Sequence, residues 1–185
     1  MLTAERLRSV IGDVDELTSE TTTIARTTSC DYSWPGNRTM KLQVGTMSFE
    51  NPIDDEAMLS IETFAENAEE AKQRFTVAYR PRSADEQAKT ADSVSDKAAE
   101  SVDAQHQAMA RDFARSMVSK INYETVSDPV LGDAAAWGGL PKTRSLLVLV
   151  GNQSLTINVK RSDDDVAHKA DSIALAQELL KACGA

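Results

Sequence analysis

Apolar and polar residues alternate near the end of the chain in the way that a half-buried β-strand requires. Leu155, Ile157 and Val159 are separated by polar residues, and this spacing of two predicts a strand with one buried face. The preceding segment, residues 146–150, is apolar throughout, which is typical of a strand covered on both faces. The two segments predict a β-hairpin around which the core is built.

The turn of this hairpin has two interpretations. A turn centred on residues 152–153 pairs Val150 with Leu155. A turn centred on residues 151–152 sets Val150 opposite Gln153, and its Gly-Asn sequence has the more favourable turn chemistry. Both registers bury the same face, so the predicted core does not depend on the choice.

The N-terminal part predicts a short helix followed by strands. Thr3 can cap a helix that ends at Gly12, and the polar, Thr-rich residues 13–28 predict a loop that enters a strand near Ile24. Alternation predicts a strand over residues 29–34. The Pro-Gly-Asn sequence that follows predicts a turn, and the next strand carries a predicted β-bulge at Gly45.

After Pro52 the apolar spacing changes to three and four residues, which predicts helices. The first covers residues 54–79 and the second covers residues 84–121. An unbroken second helix would be about 57 Å long, against about 40 Å for the diameter of the domain. We therefore expect a break at residues 93–96 or 101–103.

These elements predict one α+β domain over residues 1–185, because a chain of this length builds one well-buried core. A single antiparallel sheet packs against the N- and C-terminal helices, and residues 54–121 form a helical insertion. Short strands over residues 122–127 and 134–137 precede the central hairpin. A last helix begins at residues 163–165. Its predicted inward stripe consists of Val166, Ile173, Ala176, Leu180 and Cys183.

The composition excludes several classes of partner. The net charge of -9 would repel nucleic acid and anionic membranes, and no apolar run approaches the ~20 residues of a transmembrane helix. We therefore expect neither nucleic acid nor a transmembrane segment. No leader precedes the first predicted helix, but a mature exported fragment would have the same start, so cytoplasmic and exported locations both stay open here.

The two cysteines allow two states. Cys30 and Cys183 are either buried free thiols of a cytosolic protein or one disulfide that ties the last helix to a strand in an oxidising compartment. In the chain-entropy model, such a bridge would contribute up to about 5 kcal/mol. The cysteines have no CxxC spacing and no histidine nearby, so we predict no metal site.

We predict no catalytic residue and no cofactor. The chain lacks a nucleophile elbow, a P-loop and a dinucleotide fingerprint. His106 and His168 lie among polar neighbours in predicted helices, which predicts solvated side chains. Trp34 and Trp137 have two interpretations: they close the ends of the core, or they form an aromatic platform in a groove for a sugar, peptide or lipid.

Four short motifs follow one another along the chain. They are L-T-A-E-x-h-x-x-h-h-G at residues 2–12 (h, apolar), C-x-Y-x-W at 30–34, L-G-D-A-A-A-W at 131–137, and an Ala- and Leu-rich helix ending in Cys at 170–183. This order resembles secreted or lipid-anchored bacterial proteins of unknown function, akin to actinobacterial lipoproteins and PsbP-like sheets. The resemblance implies an exported, non-enzymatic protein with an antiparallel sheet backed by helices.

The expected function is therefore binding of a partner or small ligand by an envelope or secreted bacterial protein that performs no chemistry. The alternative is a hydrolase or other enzyme whose site is assembled from residues distant in sequence. A third hypothesis is an assembly role, in which the helical segment forms a homodimer or binds another protein. The expected location is the periplasm, the envelope or the medium, and the alternative is the cytoplasm.

Overall fold

Seven strands form a single antiparallel sheet in the computed structural model, which describes residues 2–141 and 143–183, and only the backbone at residues 44, 182 and 183. The strands are β1 (Thr18–Ile24), β2 (Thr27–Val44), β3 (Met47–Thr63), β4 (Asn122–Thr125), β5 (Ala134–Gly139), β6 (Ser145–Val150) and β7 (Gln153–Lys160). The helices are α1 (Ala4–Ile11), α2 (Ala68–Ala78), α3 (Ala84–Glu100), α4 (Gln107–Val118) and α5 (Asp165–Cys183), with a 3₁₀ turn at Ala104–His106.

The strand order is β1-β2-β3-β7-β6-β5-β4, so strands from both ends of the chain meet in one sheet where β3 pairs with β7. All neighbouring strands run antiparallel. The predicted α+β class, with helices at both ends of the chain, is confirmed. β1 and β4 are the edges, and every residue of β1 is exposed.

The central hairpin forms as predicted, with the turn at residues 151–152. Val150 stands opposite Gln153 and Val148 stands opposite Leu155, which is the register with the more favourable turn residues. Gly151 has a φ of 59°, a backbone conformation that glycine adopts without strain. Leu146, Val148, Ile157 and Val159 are fully buried.

Helices cover the two faces of the sheet unequally. α1 and α5 pack on one face, where the larger part of the core contains Leu7, Leu59, Ile157 and Leu175. On the opposite face α2 packs over β5 and β6 through Phe75, Leu147 and Leu149. The part of that face formed by β1, β2 and β3 is polar and lines an open groove of ≈ 410 Å³.

Three predictions for the N-terminal half are wrong. The predicted loop over residues 13–28 contains β1. The Pro-Gly-Asn sequence at residues 35–37 lies within β2, where the register with β3 shifts, and Gly45 lies in the hairpin turn with a φ of 63°. The bulge therefore lies at residues 35–37 and the turn lies at Gly45, the reverse of the prediction. β2 continues past the bulge because its pairing with β3 resumes at Arg38.

The predicted helix over residues 54–79 is wrong in its first part. β3 extends to Thr63, and α2 begins at Ala68 after Asn67, whose side chain accepts a hydrogen bond from Glu70 N at 2.9 Å. Ala57 and Ile61 fit helical spacing, but with Leu59 they also fit the spacing of two found in strands. Pairing of β3 with β2 and β7 on both sides decides in favour of the strand.

Two parts of the chain extend beyond the sheet. One, here called the β-arm, is the ribbon of residues 38–53, where β2 and β3 pair only with each other. The other is the helical hairpin of α3 and α4, which breaks at residues 101–103, one of the two predicted places. α3 and α4 pack mainly on each other, and Arg115 pairs with Asp92 at 2.6 Å.

The last helix begins near the predicted residues, but its buried stripe differs. Ala176 and Leu180 are buried as predicted, whereas Val166 is 75% exposed. His168 and Ser172 take up buried positions on the stripe instead, at 3% and 0% exposure. None of the helices in the described chain has the length and hydropathy to cross a bilayer.

Candidate functional site

A cavity lies between α2 and the sheet edge formed by β4 and β5. This α2 cleft has a volume of ≈ 550 Å³. Residues of α2 form one wall, and the segment from the end of β4 into β5 forms the other. The lining consists of Lys72, Phe75, Thr76, Tyr79, Arg80, residues 125–129 and residues 131–136.

Four aromatic rings stack beside and beneath this cleft. Phe75 and Tyr79 lie one turn apart on α2 and meet edge to face, with ring centroids 4.8 Å apart. Tyr79 also meets Tyr123 of β4 edge to face at 5.2 Å, and Phe64 meets Phe75 at 6.0 Å. Each such pair contributes about 0.5–1.5 kcal/mol beyond its buried area. The rings therefore fix α2 against the sheet, and the two that line the cleft, Phe75 and Tyr79, form its aromatic floor.

Tyr79 of the floor and the neighbouring Tyr123 stay protonated at neutral pH. Burial raises the pKa of Tyr79, and the neighbouring Tyr123 and Glu62 raise it further. Burial also raises the pKa of Tyr123, while Arg82 acts in the opposite direction. Both hydroxyls are therefore neutral, and the floor carries no charge.

The charged groups around the cleft are mostly engaged by the chain itself. Asp128 accepts hydrogen bonds from Val130 N at 2.9 Å and Gln177 Nε2 at 2.8 Å. Asp133 Oδ2 accepts one from Gly151 N at 2.7 Å, and Arg80 pairs with Glu86. The described lining contains neither histidine nor cysteine. The cleft therefore combines these internally paired charges with the aromatic side chains of Phe75 and Tyr79.

Trp34 and Trp137 lie apart in the sheet. Trp34 is in β2 and Trp137 is in β5, so strands β3, β7 and β6 separate them. Both are buried, at 3% and 2% exposure. They do not share one groove, and a ligand role for either of them stays a prediction. Trp34 lines a separate cavity at the β2 bulge.

The structure describes the side chain of only one member of the predicted Cys30–Cys183 pair. Cys30 is buried, and Thr21 Oγ1 lies 3.7 Å from its sulfur. The side chain of Cys183 falls outside the described residues. No disulfide is seen in the part of the chain that the structure describes, and the pairing stays a prediction.

The two histidines occupy different environments. His106 is exposed, whereas the prediction of a solvated His168 is wrong. The ring of His168 packs edge to face on Trp137 with centroids 4.9 Å apart, and its Nε2 lies 3.2 Å from Asn158 Oδ1. No group of histidine, cysteine and carboxylate side chains within residues 2–141 and 143–183 is arranged to hold a metal ion.

The aromatic floor was not predicted as a site. The sequence pattern places Phe64, Phe75 and Tyr79 in the predicted helix over residues 54–79 and Tyr123 in the predicted strand over residues 122–127, with no binding role for any of them. The i, i+4 spacing of Phe75 and Tyr79 was the one local signal, because the other rings meet only after the sheet forms. Comparison of the chain with models of protein families, with curated proteins and with solved structures finds no match in any of the three.

Proposed function

We propose that this protein is a non-enzymatic binding protein of the bacterial envelope or secreted fraction, which takes a small and largely apolar ligand into the α2 cleft. The observation that carries this proposal is the rigid aromatic floor of Phe75 and Tyr79 in a cleft of ≈ 550 Å³. Sites for small molecules have volumes of about 300–1,000 Å³ and are mostly apolar with a few placed polar groups.

The lining supports an apolar ligand body. Val126, Leu131 and residues 134–136 line the cleft, and Ala134 and Ala136 belong to the same apolar cluster as Phe75 and Tyr79. The nearby carboxylate of Asp128 already accepts two hydrogen bonds, so it has little need of a ligand donor. The envelope or secreted location rests on the four motifs described above.

Filling the cleft tests the proposal. Thr76 is exposed on α2 and lines the cleft, so Thr76→Trp places an indole in the space that the ligand would occupy. The probe is 1-anilinonaphthalene-8-sulfonate, whose fluorescence rises in apolar sites. We expect saturable binding by the wild-type protein and its loss in Thr76→Trp.

Val77→Trp is the matched control. Val77 lies on the same helix, is 69% exposed and does not line the cleft, so this variant adds the same indole outside the site. It should bind the probe as the wild-type protein does. Equal binding by Thr76→Trp and the wild-type protein would show that the probe does not enter the α2 cleft and would refute the proposal.

A further inference from the structure

A second cavity opens where β2 bulges away from β3. The register shifts between Trp34 and Arg38, so residues 35–37 of β2 stand opposite a single residue of β3. Bulges re-aim side chains and are common beside functional sites. This bulge cavity has a volume of ≈ 470 Å³, and its lining includes Asp13, Asp15, Trp34, Gly36, Asp55 and Arg161.

Asp55 presents a carboxylate oxygen to this cavity from a buried position. Its side chain is 10% exposed, and its Oδ1 accepts a hydrogen bond from Arg38 Nε at 2.9 Å. No donor in the described chain bonds to Oδ2, and Oδ2 is not sealed from solvent. A charged oxygen in so buried a place costs free energy unless it is hydrogen-bonded. Oδ2 is therefore an acceptor that a ligand can satisfy.

The bulge is shaped around this carboxylate. A Cβ atom at residue 36 would lie 2.3 Å from Cγ and 2.3 Å from Oδ1 of Asp55. Atoms do not approach so closely, so glycine is what lets the bulged strand close over Asp55. The buried pair of Asp55 and Arg38 is itself weak evidence for stability, because desolvation offsets the attraction between its charges. A role in binding explains its position better.

Negative charge dominates around the cavity. The positive charge of Arg38 is paired with Asp55. Arg161 donates to both carboxylate oxygens of Asp171, at 2.7 and 3.0 Å, and to Ile11 O at 3.2 Å, so its donors are engaged. Asp13 and Asp15 line the cavity and form no ion pair within the described chain. The unbalanced carboxylates attract a cation.

We propose that the bulge cavity binds a small organic cation, which carries an ammonium or guanidinium group on an apolar body. The N–H groups of the cation donate to Asp55 Oδ2, while Asp13 and Asp15 hold its charge. The apolar body contacts the indole of Trp34, and aromatic rings also attract cations. The bulge cavity and the α2 cleft share no lining residue, so the two sites are tested independently.

An NMR titration of the whole protein tests this site with probes that differ mainly in charge. The probes are benzylamine, benzyl alcohol, benzoate and calcium chloride, and the signals are the indole N–H resonances of Trp34 and Trp137. We expect benzylamine to shift the Trp34 resonance saturably and to leave Trp137 unchanged. Benzyl alcohol and benzoate should bind at least about tenfold more weakly, because the alcohol carries no charge for the carboxylates to attract and benzoate is repelled by them.

Paired variants show whether the carboxylates are responsible. Asp13→Asn combined with Asp15→Asn should weaken benzylamine about three- to tenfold, the range expected for exposed charge pairs. Asp103→Asn combined with Asp112→Asn removes the same charge on the helical hairpin and should change nothing. Asp55→Asn should abolish binding. Because it also deprives Arg38 of its partner, its fold is checked first, and the Asp13 and Asp15 variant decides the test where Asp55→Asn unfolds.

Several results would overturn the proposal. Benzoate or benzyl alcohol binding as tightly as benzylamine would show that charge is not recognised. A Trp34 shift produced by calcium alone would identify an inorganic ion as the occupant. Absence of any benzylamine shift up to the limit of solubility, or unchanged affinity in the Asp13 and Asp15 variant, would show that the cavity is not a cation site.

Discussion

Individual polar residues in the core explain why the buried stripe of the last helix differs from the predicted one. Ser172 Oγ donates to His168 O at 2.9 Å and accepts from Val159 N at 3.1 Å. These bonds satisfy the buried Ser172 hydroxyl, and Asn158 Oδ1 lies 3.2 Å from Nε2 of the buried His168 ring, which removes most of the cost of burying the two side chains. A stripe defined by apolar residues alone therefore included Val166, which is exposed, and missed His168. The partners of a buried polar residue lie on other elements, so local sequence does not reveal them.

The buried His168 predicts a loss of stability in acid. Burial lowers its pKa, and Lys160 lowers it further. The unfolded chain, with a histidine pKa of about 6.5, therefore takes up the proton more readily than the folded chain. Stability is fully present above about pH 6.5 and falls as the pH drops from there towards the lower folded pKa.

His168→Gln isolates this effect and retains a donor for Asn158. Urea unfolding at about pH 7.5 and about pH 5.5 should show a larger loss of unfolding free energy in the wild-type protein than in the variant. Carboxylates titrate in both proteins, so the difference between the two losses of unfolding free energy is the contribution of His168. An identical loss in both would contradict the prediction.

Among the elements, the central hairpin was predictable and β3 was not. In β7 the alternation is strict and the apolar partner strand is adjacent in sequence. In β3, Ala57 and Ile61 satisfy both helical and strand spacing, and the neighbours that decide between them come from β2 and β7. Residues 35–37 illustrate the same limit. Their turn composition is accommodated as a bulge because the strands pair again beyond it.

Ile157 should be among the most sensitive positions in the hairpin. It is fully buried, so Ile157→Ala leaves a cavity and should lower the unfolding free energy by about 2–5 kcal/mol. Thr156→Ala, on the opposite face of the same strand, should change it by less than about 1 kcal/mol. Denaturant titration measures both. A loss below about 1 kcal/mol in Ile157→Ala would mean that the strand does not face the core.

The β-arm should be the least protected part of the sheet. Its two strands pair only with each other, and Met40, Leu42, Met47 and Phe49 on one face are 40–59% exposed. Two-stranded ribbons are marginally stable in water. We expect arm amides to exchange hydrogen far faster than those of β2 and β3 beside β7. Equal protection in the two regions, measured by NMR, would show that the arm is held by contacts beyond its own pairing.

At the scale of the whole molecule, the α+β class could be predicted from the order of the periodic segments along the chain. The two cavities could not be predicted. The α2 cleft joins residues 72 and 136, and the bulge cavity joins residues 13 and 161. A single sequence does not show that residues so far apart along the chain will line the same cavity. Trp34 lines the bulge cavity, and its ligand role stays a prediction, whereas the groups that give that cavity its charge were not predicted.

The helical hairpin carries exposed apolar side chains that its fold does not use. Met109 and Phe113 on α4 are 72% and 66% exposed. The double variant Met109→Glu, Phe113→Glu should therefore unfold within about 1 kcal/mol of the wild-type protein in denaturant. A larger loss would show that these side chains stabilise the monomer.

Sedimentation velocity on the same two proteins tests the predicted homodimer through the helical segment. A mass that rises with concentration in the wild-type protein and not in the double variant would support it. Monomers in both would contradict it. Val77→Glu, which changes an exposed apolar residue of α2, serves as the control.

The exposed edge strand β1 affects how the protein behaves in solution at high concentration. Thr18–Ile24 contains neither proline nor lysine, and Glu20 is its one charged residue, so few of the residues that protect sheet edges are present. Collisions between copies can thus extend one sheet into the next, and mutual repulsion from the charge of -9 opposes them. That repulsion reaches about 30 Å in 0.01 M salt and about 8 Å in 0.15 M salt. Raising the ionic strength should therefore favour association of copies through the β1 edge.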